Sequence, residues 1–134
     1  MELTPSQTEL LAAATAAADN AYAPASGFRV GAALKGEGGI HTGCNVENSS
    51  LGLTICAERV AVFKAVSGGE RQFSQLVVVA ADGADAEPCG ACRQVLAELA
   101  PGLEVTYRHQ GRFVTRSIAD LLPSPFGGDA GTEG

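Results

Sequence analysis

The run LVVVAA at residues 76–81 constrains this chain more than any other stretch. It carries no polar alternation, so it reads as a strand covered on both faces rather than one half open to water. A sheet built around such a strand needs a layer on each side, and the flanking sequence must supply helices for both. Thr4, Pro5 and Gln7 spell a helix start, as N-cap, first-turn proline and capping-box partner, opening an alanine-rich helix to about residue 20. Pro24 and Gly27 break that helix. Residues 28–34 and 40–46 are strand-like on either side of the turn KGEGG. A second helix is expected over residues 55–66, stopping at Gly68-Gly69, and a third over residues 89–99, ending before Pro101. Two strands at residues 103–108 and 112–117 and a short helix at 118–122 complete the order α, β, β, α, β, α, β, β, α. This order predicts a three-layer α/β/α sandwich around a mixed five-stranded sheet. The sandwich is expected to occupy residues 1–127 as a single domain, with the Gly-rich acidic residues 128–134 as a flexible tail.

Composition narrows the chemistry. Hydrophobic residues make up 46% and charged residues 18% of the 134, a balance that excludes a disordered chain. The formal net charge is −6 with nine Lys and Arg residues thinly spread, which leaves no cationic stripe for a nucleic-acid polymer. No apolar run approaches the roughly 20 residues of a membrane span, and MELTPSQTEL lacks the basic start of a secretory signal. A cytoplasmic protein that binds neither membrane nor polymer is expected. In that reducing setting Cys44, Cys56, Cys89 and Cys92 read as metal ligands or core residues rather than as disulfides.

Three of these cysteines sit at helix starts. Cys89 and Cys92, in PCGAC, open the third helix, and Cys56, in TICAERVAVFKA, opens the second. Two thiols two residues apart, joined by a third from a neighbouring helix mouth, can share one tetrahedral zinc ion and leave a corner open. The positive ends of the helices favour thiolates there. Arg59, one turn beyond Cys56, can hydrogen-bond the sulfurs and offset their charge. Glu58, two residues past Cys56, can point at the open corner and exchange protons with water. The alternative is a closed structural site with Cys44 as fourth ligand; that arrangement has no use for Glu58, and Cys44 in a strand fits a small buried hydrophobe. His41 and His109 read as surface residues.

A three-ligand zinc site, a non-ligand glutamate and a P-C-x-x-C stretch together form the pattern of the zinc deaminases that act on nucleobases. With FRVGAAL, TGCNVENSS, TICAERVAVFKAV, PCGACRQVLAEL and LLPSPFG in that order, the chain resembles the short, homotetrameric cytidine deaminases from about residue 21 to 126. The resemblance implies one zinc ion per subunit on Cys56, Cys89 and Cys92, Glu58 as proton shuttle and Arg59 as compensating charge. It implies hydrolytic deamination of cytidine and deoxycytidine in pyrimidine salvage. It places Phe28 against the pyrimidine, the Ala57 backbone on the edge of the base, and Asn45 and Glu47 on the sugar. Phe126 would be supplied by a neighbouring subunit, so that active sites are shared. A carboxylate at Glu47 would also repel a phosphate, favouring nucleosides over nucleotides. The chain departs from the family pattern at Ala25 and Leu51, where tyrosines are common. Within the resemblance the rival substrate is a modified cytosine nucleoside of the blasticidin type.

Overall fold

The computed structural model describes residues 2–127, so the expected tail at residues 128–134 lies outside the described residues. Helix α1 (Pro5–Ala18) opens as the sequence predicts: the Thr4 hydroxyl accepts the Gln7 N–H and the Gln7 side chain accepts the Thr4 N–H. Strands β1 (Val30–Gly36) and β2 (Gly39–Cys44) form a hairpin. Helix α2 (Ala57–Ser67), strand β3 (Phe73–Ala80) and helix α3 (Gly90–Leu99) follow. Strands β4 (Glu104–His109) and β5 (Arg112–Ser117) and the short helix α4 (Ile118–Leu121) complete the chain.

The five strands form one sheet in the order β2-β1-β3-β4-β5. Only β3 and β4 pair in parallel; the other pairs are antiparallel, so the sheet is mixed as expected. The apolar run sits on β3 at the centre, and its residues from Leu76 to Ala80 are buried. Their side chains alternate between two cores. Val77 and Val79 pack with Leu10 and Ala14 of α1, while Leu76 and Val78 pack with Ala61, Val62 and Leu96 of α2 and α3. The α/β/α layering therefore follows directly from one strand having no solvent face.

Two glycines set how closely the layers approach. A Cβ on Gly31 would lie 1.9 Å from the Ala14 carbonyl oxygen, and one on Gly43 would lie 2.5 Å from the Ala61 nitrogen and 2.7 Å from the Ala57 oxygen. Only hydrogen lets α1 and α2 rest on the sheet at these points.

Element boundaries differ from expectation where side chains replace backbone pairing. The second strand ends at Cys44 rather than residue 46, because the Asn45 side chain takes up the pairing: its Oδ1 accepts the Val30 N–H at 2.8 Å and its Nδ2 donates to the Phe28 carbonyl at 2.8 Å. Val46 then forms isolated bridges with Tyr22 and Ile55. That bridge holds Ile55 extended, so α2 begins two residues later than expected.

Candidate functional site

Cys56 and Cys89 are N-cap residues, in extended conformation, of α2 and α3. The cap position turns each side chain across the mouth of its helix, and Cys92 lies in the first turn of α3. The Cys89 sulfur accepts the Cys92 N–H at 3.4 Å, as a serine oxygen would in an ordinary cap. Cys56 Sγ lies 3.9 Å from Cys89 Sγ, and Cys89 Sγ lies 3.4 Å from Cys92 Sγ. All three sulfurs fall within 4.8 Å of one another.

A tetrahedral zinc ion with sulfurs at about 2.3 Å needs sulfur–sulfur separations of about 3.8 Å, so the thiol set fits zinc by geometry and by chemistry. Arg59 supports the fit: its Nη2 donates to Cys56 Sγ at 3.6 Å. Its Nε is buried without a partner among the described residues. Hydrogen bonding with Cys92, ahead of Arg59, holds the Cys56 thiol down at about 5, while that bond and burial push Cys92 up. The cluster thus presents a thiolate where a cation is wanted. Cys44, half-buried at the end of β2, is not part of it.

Glu58 occupies the first turn of α2 and is 4% exposed. Burial pushes its carboxyl up to about 7, with the neighbouring Cys56 thiolate adding to the shift against the opposing pull of Arg59. It faces a cavity of about 150 Å³. Cys56, Ala57 and Glu58 form the α2 side of this cavity, and Ala86, Glu87 and Cys89 the side leading into α3. The sheet contributes Val30 and Val78, and Phe28, Asn45 and Thr54 complete the lining. A volume of about 150 Å³ is the size that holds one six-membered ring.

The structure thus brings Phe28, Asn45, Cys56, Ala57, Glu58 and Cys89 to one cavity, with Cys92 and Arg59 behind the sulfurs. Glu47 does not line this cavity but a separate groove, with Pro24, Ala25 and Ser49. There it accepts the Ala25 N–H at 2.8 Å and bonds the Ser26 hydroxyl, which keeps its carboxyl below the usual carboxylate range. Phe126 is 89% exposed and lines none of this cavity. Its backbone is held in place by Gln94, which accepts its N–H at 3.0 Å and donates to its carbonyl at 3.2 Å. Val30, Thr54, Val78, Ala86 and Glu87 are not singled out by the sequence; of these, Glu87 has a usable signal in its place just before Pro88-Cys89.

The family model "Cytidine and deoxycytidylate deaminase zinc-binding region" matches residues 4–107. A cytidine deaminase of Sporosarcina psychrophila is 48% identical over 121 residues, covering 88% of this chain and 89% of that protein. The crystal structure of a cytidine deaminase from Burkholderia pseudomallei superposes with a TM-score of 0.81 at 46% identity, covering 92% of this chain and all of the other. That of the Mycobacterium tuberculosis enzyme gives a TM-score of 0.79 at 44% identity, over 90% of this chain and 96% of the other.

Proposed function

The chain belongs to the cytidine and deoxycytidylate deaminase family, and from that membership we propose the part each of its residues takes in the reaction. The reaction is zinc-dependent hydrolysis: cytidine and deoxycytidine lose the C4 amino group as ammonia and become uridine and deoxyuridine. Cys56, Cys89 and Cys92 hold one zinc ion per subunit, and Arg59 offsets the charge of the three thiolates. When bound, zinc supplies the Lewis acidity that makes water nucleophilic near neutral pH.

Glu58 moves the protons. It takes one from the attacking water and gives it to N3 of the ring, so that the water oxygen adds to C4. It then carries the remaining proton of that oxygen to the amino group, the C4–N bond breaks, and ammonia leaves behind the C4 carbonyl. Phe28 packs against the pyrimidine, and the Ala57 backbone reads the edge of the base. The Asn45 amide has two N–H groups, one of which is used on the Phe28 carbonyl, leaving the other for a sugar hydroxyl. Glu47, charged and two residues along the chain from Asn45 of the cavity lining, takes the sugar and repels a phosphate.

Phe126 serves a neighbouring copy, because its ring points outward from a pinned backbone. Leu51, 72% exposed, with Leu53 and Val46, supplies apolar surface for the homotetramer in which such sharing takes place. Among the described residues no helix is long and apolar enough to cross a membrane. We place the enzyme in the cytoplasm, where thiols stay reduced, as a member of pyrimidine salvage.

One observation carries this reading: a carboxylate shut away from water lines a ring-sized cavity together with the thiols at two helix mouths. An absorbance assay should show cytidine consumed with ammonia released, abolished by a chelator and restored by zinc. Cytidine monophosphate should turn over far more slowly. Comparable rates on the two substrates would remove Glu47 from its assigned role, and zinc-independent turnover would remove the metal.

A further inference from the structure

Residues 84–89 run without helix or strand pairing, yet they supply Ala86, Glu87 and Cys89 to the cavity wall. Ala86 is buried against the core, and Arg93 Nε of α3 donates to the Pro88 carbonyl at 2.9 Å; the side chains of the segment are fixed on the hairpin between β4 and β5. One Asp85 carboxylate oxygen accepts the Gln110 N–H at 2.7 Å, and the other accepts the Gly111 N–H at 3.0 Å. Two residues on, the Glu87 carboxylate meets Nδ1 of His109, the last residue of β4.

The turn being gripped is an unusual one. Gln110 has φ 53° and Gly111 has φ 79°, and Gln110 is the non-glycine residue with positive φ among those described. A tight hairpin needs this left-handed pair, and a residue with a side chain holds it only where its surroundings fix it. Both N–H groups of the pair are spent on one carboxylate. The Gly111 and Gln110 bonds hold the Asp85 carboxyl below its ordinary range, so the acceptor stays ionised.

We propose that Asp85 is a positioning residue for the reaction: by clamping the β4–β5 turn it fixes the wall segment that carries Glu87 and Cys89 into the cavity. Asp85 is exposed and lines no part of the cavity itself, so it acts through that segment. The inference rests on reading the cavity as the nucleoside and zinc site.

The test compares Asp85→Ala and Asp85→Asn with the parent enzyme, all loaded with zinc and checked by circular dichroism. Asp85→Ala should raise KM for cytidine about fivefold, lower kcat less, and pass zinc to a competing chelator faster. Asp85→Asn keeps one carbonyl acceptor and should fall between. Unchanged KM and unchanged zinc transfer in both variants would overturn the clamp, whatever happens to the melting temperature. If the parent enzyme does not act on cytidine, the substrate reading fails by itself, and the zinc-transfer rates still decide whether Asp85 holds the wall.

Discussion

A carboxylate at the first turn of a helix is favoured as an anion by the helix dipole, and burial favours it as an acid. Glu58 lies under both influences, and burial prevails. A carboxyl held at about 7 between these opposing influences is a poor choice for stability and a good one for carrying protons. Glu58→Gln preserves shape and removes the proton. The variant should fold, bind zinc in the parent's stoichiometry and lose about 10²- to 10⁴-fold in turnover; near-parental rates would take Glu58 out of the mechanism. At this scale the sequence marks rare side chains, and the marked Cys56, Glu58, Cys89 and Cys92 do come together at one place in the fold. It was silent where a common residue works through its position. Val78 is one valine in an apolar run, and nothing in the run marks it as cavity lining. The resemblance offers Asn45 as a sugar contact and carries no hint that its side chain bonds Val30 and Phe28 at the end of the sheet.

At the scale of elements, the capping box at Thr4 and Gln7 and the buried strand β3 were legible, because each follows from local pattern alone. Helix starts were less so. Placing Cys56 and Cys89 as caps rather than first helical residues depends on distant partners, such as the bridge from Val46 to Ile55. The contact between β2 and α2 was not legible at all, since Gly43 looks like any strand glycine until α2 is seen against it. Gly43→Ala should drive α2 off the sheet, costing about 1–3 kcal/mol in denaturant unfolding. It should also loosen zinc, because Cys56 caps the displaced helix. Gly102→Ala, with open space around its Cβ, should change stability by no more than about 0.5 kcal/mol.

For the whole molecule, Phe126 and Glu58 belong to different sites of the assembly if the aromatic is shared. Chains carrying Glu58→Gln keep a usable Phe126, and chains carrying Phe126→Ala keep a usable Glu58. Co-expressed, the two should be more active than the sum of the separate preparations, because some sites then combine an intact carboxylate with a neighbour's ring. Activity no greater than that sum would confine Phe126 to its own subunit or to no role. Such a relation between copies cannot be read from spacing along one chain; only the resemblance of LLPSPFG to the family points to it.

Cys56 and Cys89 stand 33 residues apart, and the central strand β3 lies between them in the chain. Their sulfurs meet only where both helices are docked on the sheet, so an ion held between them also ties the two helix mouths together. Occupancy then contributes to holding the layers in register as well as to the chemistry at the open corner.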